Sequence, residues 1–300
     1  MHRLAIGPLY YELNRHHEPR LRVVSGETVE VESEDAFSGQ IRTDDDRRDK
    51  AAQPGSNPLT GPILVEDAAP GDALRVTILD IQPTLGQCAT RTSDPKQLCE
   101  WLGDDCPHGT HVCPIRDGRI QWSPTLTIPY EPMLGCIGTA PALGAPSTIP
   151  AGPYGGNLDL VEVCPGNTVS LPVFVPGGLL YLGDAHAAMG HGELSASGLE
   201  MPALSTIRIE LVKQANLPGV RIESPHEIMA VATGTPMERA VAEAYARLIG
   251  WMEADYGWDR WKAYDLLTHV GRISVGYYGI GTVAAKVARS YVAAGSSAPD

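Results

Sequence analysis

The feature that most restricts the fold is an alternation of apolar and polar residues that recurs along most of the chain and yields to a helical period only near residue 235. From Arg22 to Ser33 the chain reads Arg-Val-Val-Ser-Gly-Glu-Thr-Val-Glu-Val-Glu-Ser. This predicts two half-buried strands joined by a turn at Gly26-Glu27. The same grammar returns at 61–81, where Gly-Pro-Ile-Leu-Val-Glu is followed by Pro70-Gly71-Asp72 and the alternating run Ala-Leu-Arg-Val-Thr-Ile-Leu-Asp-Ile. Between them, residues 41–56 are charged and without period, which predicts a solvated loop. Further strands are predicted at 168–182, 203–213, 219–223 and 227–232, with the prolines of 168–182 restricting that run to an edge or bulged strand. The 32 glycines and 25 prolines fall in no low-complexity run, so they mark turns between short strands rather than disorder.

The period then changes. Thr235-Pro236-Met237-Glu238 has the form of a helix start, with a capping Thr, Pro at the first helical position and Glu three residues past the cap. Val241, Ala244, Tyr245, Leu248, Ile249 and Met252 follow at the spacing of one apolar face, and a second helix is predicted from Asp259 through Leu267. The expected fold is mainly β (α+β), a β-sandwich or barrel-like unit with a C-terminal helical hairpin. One unit is expected over 1–300: a β-rich core over about 1–234, a loop-rich Cys-containing segment at 86–153, and a helical segment over about 235–290. Strands grouped ahead of helices do not form a doubly wound nucleotide binder, and no Gly-rich phosphate loop appears.

With 36 acidic against 23 basic residues the formal charge is −13, which disfavours a nucleic-acid or anionic-membrane partner and suits a bound cation. The N-terminus lacks the apolar core of a signal peptide, and no run reaches the ~18–20 apolar residues of a membrane span. A cytoplasmic location is therefore expected. The six cysteines, Cys88, Cys99, Cys106, Cys113, Cys136 and Cys164, are then expected as reduced thiols.

The densest chemistry is Gly183-Asp-Ala-His-Ala-Ala-Met-Gly-His-Gly-Glu193, which sets Asp184, His186, His191 and Glu193 among small residues. Carboxylate oxygens and imidazole nitrogens are the usual ligands of a divalent cation, and glycines let the backbone curl until several heads converge. A spare carboxylate can act as general base. Spacing alone reads this segment equally as a metal site and as a polar turn. Gly155-Gly-Asn-Leu-Asp159 puts Asn157 and Asp159 on one side of an extended chain, and Asp35 follows a strand in a loop. Taken singly, each reads first as a turn former. A rival constellation, Cys99, Cys106, His108, His111 and Cys113, would be a structural zinc site, although no Cys-x-x-Cys pair is present. A Cys nucleophile lacks matching lysine context, and a Gly-x-Ser-x-Gly elbow is absent.

Several pieces occur together and in order: Asp35-Ala-Phe-Ser-Gly-Gln40, Asn57-Pro-Leu-Thr-Gly-Pro62, Pro70-Gly-Asp72, Gly135-Cys-Ile-Gly138, Gly155-Gly-Asn-Leu-Asp159, Leu171-Pro-Val173, Gly183-Asp-Ala-His-Ala187 with Gly192-Glu193, then Trp251 and Ala263-Tyr-Asp-Leu-Leu267. As an ordered set they resemble the acetamidase/formamidase family over nearly the whole chain. The resemblance implies hydrolysis of a small linear amide, of the formamide or acetamide type, to a carboxylate and ammonia, in a β-rich fold with a divalent metal, zinc being the expected one. It favours the metal-site reading of 183–193. Asp35, Asp159, Asp184 and His186 become candidate metal residues and Glu193 the candidate catalytic base, with Gln40, Asn157 and His191 as candidate residues around the site. These roles follow from side-chain chemistry placed on the matched motifs.

Two departures stand out. Where many relatives read Gly-Asp-Gly-Glu, this chain has Gly190-His191-Gly192-Glu193, an imidazole in place of a carboxylate. The Cys-rich segment 86–115 matches no motif of the family, which leaves substrate size open. Hydrolysis of a cyclic amide or another C–N or ester bond is the alternative on the same scaffold; a β-rich binding protein without chemistry is the alternative of a different class. A homo-oligomer is expected from the general tendency of soluble proteins to symmetric assembly.

Overall fold

The structure, a computed structural model of the chain, describes residues 2–53, 55–92, 96–103 and 109–295. In chain order the elements begin with β1 (His2–Leu4), β2 (Leu21–Val23), β3 (Thr28–Ser33), β4 (Leu59–Val65), β5 (Ala73–Pro83) and β6 (Gln87–Thr92). A short helix α1 (Lys96–Leu102) precedes β7 (Gly109–Arg116), β8 (Arg119–Gln121), β9 (Thr127–Pro129), β10 (Met133–Thr139), β11 (Ala151–Gly152) and β12 (Gly155–Asn157). Next come β13 (Thr168–Pro172), β14 (Leu180–His186), β15 (Glu200–Met201), β16 (Ala203–Val212), β17 (Arg221–Glu223) and β18 (Glu227–Thr233). Helices α2 (Met237–Tyr256) and α3 (Arg260–Val270) follow, then β19 (Arg272–Val275), β20 (Thr282–Ala288) and α4 (Arg289–Gly295).

The strands form two sheets. The first runs β1-β3-β16-β5-β13-β17-β18-β20-β19; the second runs β11-β12-β10-β14-β15-β6-β7-β8-β9, with β4 on β14 and β2 on β4. All pairs are antiparallel except β1 with β3 and β2 with β4. Alternation decides which side chains meet between the sheets: in β3 Val29 and Val31 are buried while Thr28 and Glu30 are partly exposed, and in β5 Val76 and Ile78 turn inward. They join Ile63 and Val65 of β4, Leu134 and Ile137 of β10 and Leu180 and Leu182 of β14 in one apolar cluster drawn from both sheets. Each such aliphatic side chain stabilises the fold by about 1.5–3 kcal/mol through burial. β14, fully buried along its length, is central to the second sheet, and that is the strand carrying Asp184 and His186.

The first sheet has a second apolar side. Along β18, Met229 and Val231 enter the inter-sheet cluster while Ile228, Ala230 and Ala232 face the helices. There they pack with Ala244, Leu248, Trp251 and Met252 of α2 and Ala263 and Leu267 of α3. Asp259 caps α3, its side chain accepting hydrogen bonds from the backbone N–H groups of Trp261 and Lys262. No helix among the described residues is long and apolar enough to cross a membrane.

Four expectations need correcting. The strands either side of Gly26 do not pair with each other: β2 lies on β4 in the second sheet, and β3 between β1 and β16 in the first. The capping box at Thr235 is not formed. Pro236 itself occupies the cap position, with no side-chain bond to the helix. The segment 86–153 is not loop-rich, since it supplies β6 to β11 and α1. The segment 235–290 is not all helical either, because β19 and β20 return the chain to the first sheet.

Candidate active site

The cluster is built by two strands and two tight turns. Asp184 and His186 sit two residues apart on β14, and β15 pairs against that strand so that Glu200 lies directly opposite His186. Asp159 follows β12 in a turn whose N–H groups, those of Leu158 and Asp159, both donate to the carbonyl of Gly135. Glu193 is held by the bridge between Gly192 and the segment after β19: Gly192 N–H donates to Val275 O, and Tyr278 N–H donates to Gly192 O. Asp159, Asp184 and Glu193 all have a positive φ (47°, 59° and 44°). Left-handed backbone at a non-glycine residue costs of order 1 kcal/mol or more and persists where the surroundings over-determine it, which is characteristic of functional sites.

Two triads share one imidazole. Ligand atoms of Asp159, His186 and Glu193 all lie within 4.8 Å of one another, and so do those of Asp184, His186 and Glu200. His186 Nε2 is 3.2 Å from Glu200 Oε2 and 3.6 Å from Asp184 Oδ1. The five side chains are buried. Despite the proximity, both oxygens of Asp159, Asp184 Oδ1, Glu200 Oε2 and both nitrogens of His186 lack a hydrogen-bond partner, the 3.2 Å contact of His186 with Glu200 being an ion pair. Buried polar atoms are rarely left unpaired, and four buried carboxylates around one imidazole are not neutralised by it. These orphaned oxygen and nitrogen atoms, converging from the turn after β12 and from strands β14 and β15, are the donor set a divalent cation takes.

The protonation balance agrees. Burial, together with Glu193 and Asp184, holds the Asp159 carboxyl well above the ordinary range. Burial pushes Glu193 up to about 8 and Glu200 up to about 7, with His186 opposing the shift in both. His186 is raised well above its usual value because Glu200 and Asp184 outweigh the burial that disfavours its charge. Protons are thus retained where a cation would replace them.

Two glycines make room for this crowding. A Cβ on Gly135 would stand 2.5 Å from Asp184 Oδ2 and 2.7 Å from Asp159 Oδ1, and one on Gly198 would stand 2.5 Å from His186 Nδ1. Around them, Asn57 Nδ2 donates to Asp184 Oδ2 (3.0 Å) and to Asn157 Oδ1 (3.2 Å), while the buried thiol of Cys136 donates to Asn157 Oδ1 (2.8 Å). That network fixes one oxygen of Asp184 and leaves the other aimed at His186. Glu200 is oriented likewise, its Oε1 accepting from Gly198 N–H (3.0 Å).

Of the residues singled out from sequence, Asp159, Asp184, His186 and Glu193 converge, and Asn157 lies in the network beside them. Asp35 does not join the cluster. Its Oδ1 accepts from Phe37 and Gly39 N–H and its Oδ2 from Arg42, so its lone pairs close a turn and an ion pair, and the metal role is corrected to a structural one. Gln40 exchanges hydrogen bonds with the backbone of Asp49 and holds the charged loop. His191 is exposed. The rival zinc constellation is not formed among the described residues. Cys99 is disulfide-bonded, which corrects the expectation of six reduced thiols, His111 Nε2 contacts Trp122 O, and Cys106 and His108 lie outside the described residues. Glu200 was not singled out from sequence. Its only local mark is a carboxylate inside the apolar run Leu199-Glu200-Met201, and its role emerges only from the register of β14 and β15.

A cavity of about 670 Å³ adjoins the cluster, lined by Glu193, His191, Arg91, Trp122, Ile128 and Leu194 among others. Glu193 is the one member of the two triads on its wall.

Fold and site together define a two-sheet β protein whose buried carboxylate–imidazole cluster opens, through a single acid, onto a substrate-sized cavity. The chain belongs to the acetamidase/formamidase family, whose sequence profile matches residues 10–147 and 142–276. It is similar to a putative formamidase of Schizosaccharomyces pombe, at 29% identity over 67% of this chain and 63% of that protein. The crystal structure of an acetamidase from Bacillus halodurans is similar at 31% identity, with a TM-score of 0.89 over 96% of this chain and 98% of that one. The acetamidase of Yersinia enterocolitica is similar at 30% identity, with a TM-score of 0.89 over 97% and 92%. The chain spans about 63% of the length of the curated relatives it matches.

Proposed function

We propose that the protein is an amidohydrolase that cleaves the C–N bond of a linear amide to a carboxylate and ammonia, with a divalent cation held by Asp159, Asp184, His186 and Glu200. The names of its relatives, acetamidase and formamidase, support the reaction class. The orphaned donor atoms support the cation, and a mixed nitrogen and oxygen set fits zinc. A cation held there supplies Lewis acidity toward a carbonyl oxygen and toward water.

Glu193 carries the assignment, because it belongs both to the cluster and to the cavity wall. In its ionised form the Glu193 carboxylate can accept a proton from the attacking water and return it to the departing nitrogen. Asn57 and Cys136 hold Asp184 in place, and the buried surroundings exclude bulk water from the cluster. The proposal places the enzyme in the cytoplasm, with a small amide and, given the formal charge of −13, no nucleic acid as partner. It also includes a homo-oligomer, for which the exposed Trp101 and Leu143 are candidate contact residues.

The test is ammonia release from formamide and acetamide before and after exhaustive chelation. Activity should vanish on chelation and return with added zinc; persistence without metal contradicts the cation's role. Glu193→Gln should lose at least about 100-fold in turnover, the usual scale of an acid–base contribution, while the bound-metal content stays that of the parent protein. A fully active variant removes Glu193 from the role.

A further inference from the structure

The cavity beside Glu193 is far larger than formamide or acetamide requires. Such an amide fills the space of about two or three water molecules at ~30 Å³ each, whereas about 670 Å³ lies within the ~300–1,000 Å³ range of pockets that enclose drug-sized ligands. Its wall is mostly apolar: Trp122, Ile128, Pro129, Met189, Leu194 and Leu199 all line it. Two of these are substantially exposed, Trp122 at 37% and Leu194 at 63%. Large apolar side chains left in water at the mouth of a polar site gain from burial against a ligand.

The wall is also built, not incidental. Trp122 follows β8 and Ile128 lies in β9, at the edge of the second sheet. The indole is held from behind by His111, whose ring meets it edge-on at 4.7 Å and whose Nε2 contacts Trp122 O at 2.8 Å. Thr90 and Arg91 of β6 complete the same side. All of these come from the segment 86–153, which sequence alone reads as loop-rich and whose part 86–115 matches no motif of the family; the cation cluster uses the segment only through Gly135 and Cys136.

We propose that this cavity selects primary amides carrying an extended apolar acyl group, arylalkyl or branched-chain carboxamides, over formamide and acetamide, with Trp122 and Leu194 as specificity-determining residues. The inference rests on the amidase reading above. The carboxamide sits at Glu193 and the acyl chain runs outward along Trp122, Ile128 and Met189. Besides Glu193, the charged and titratable groups on the wall are Arg91, Glu131 and His191.

The experiment compares formamide, acetamide, isovaleramide and phenylacetamide on the purified full-length protein, by ammonia release for kcat/KM and by calorimetry for Kd. Each added methylene in an apolar pocket contributes about tenfold or more, so phenylacetamide should exceed acetamide by roughly 100-fold in kcat/KM and bind correspondingly tighter. In Trp122→Ala and Leu194→Ala the phenylacetamide-to-acetamide ratio should fall by about tenfold or more, a ratio that partial misfolding cannot change. Equal or better use of acetamide, with no tighter binding of phenylacetamide, overturns the proposal. If no amide is hydrolysed but phenylacetamide still binds tightly and loses affinity in Trp122→Ala, the cavity assignment is supported and the amidase reading is what fails.

Discussion

His186 and Glu200 are register partners on adjacent antiparallel strands, with Nε2 and Oε2 3.2 Å apart in a fully buried setting. The sheet itself therefore aims one carboxylate at the imidazole that both triads share. Glu200→Gln keeps the shape and removes the charge. Because Glu200 is one of the proposed ligands, its loss should weaken metal binding by at least the ~10–100-fold that losing even a ligand-orienting partner costs, and lower activity in proportion at limiting metal. Metal content after dialysis against a graded chelator series measures this, and unchanged retention would make Glu200 a bystander.

Gly135→Ala tests the packing of the cluster. The new methyl would overlap Asp184 Oδ2 and Asp159 Oδ1, so one or both carboxylates must shift from their place in the cluster. A displacement on the order of 1 Å at a reacting site costs about 100-fold. The variant should fold, as judged by circular dichroism, yet lose about two orders of magnitude in kcat/KM.

Much of this arrangement was legible from the residues themselves. Alternation in 28–33, 73–81 and 203–213 exposed the strands because one face of each is buried. The partners were not legible, since β2 and β3 separate into different sheets although only a turn divides them, and no local signal specifies that. Thr282–Ala288 reads as helix because alanine and lysine favour helices, but pairing with β18 and packing on Ala240 and Leu248 override the propensity. In the site, four of five clustered residues sat in motifs crowded with glycine, where backbone constraint betrays function. Glu200 lacked that mark, and Asp35 had it for an unrelated reason, the turn it closes.

Lys286 should prove a stability determinant at a distance from the chemistry. Its Nζ lies 2.8 Å from Oε1 of the buried Glu162, which Ser274 also contacts. Although burial opposes its charge, Lys286 and Ser274 hold the Glu162 carboxyl below its ordinary value. Lys286→Met leaves that carboxylate uncompensated, which costs about 3–5 kcal/mol. Urea unfolding at pH 7 should show the loss; at pH 4 it should be smaller, because the stability linked to a depressed carboxyl is present above its unfolded pKa and fades as pH falls through the folded one.

The opposite pH dependence should mark the metal-free protein. Glu193 and Glu200 are pushed up to about 8 and about 7, Asp159 is also raised, and His186 is held above its usual value. All four groups bind protons more tightly folded than unfolded. Their contribution is complete below the unfolded carboxyl range of ~4 and is lost as pH rises through the folded values. The melting temperature of chelated protein should therefore fall between about pH 5 and pH 8, by several degrees at about 2–4 °C per kcal/mol for a chain of this size. A cation bound only to the folded state restores stability by mass action, and most at the upper end, where the carboxylates have given up their protons. Added zinc should raise the melting temperature more at pH 8 than at pH 5. A metal-free protein whose melting temperature is level across that window, with no greater response to zinc at pH 8, would mean that the buried cluster is not the cation site.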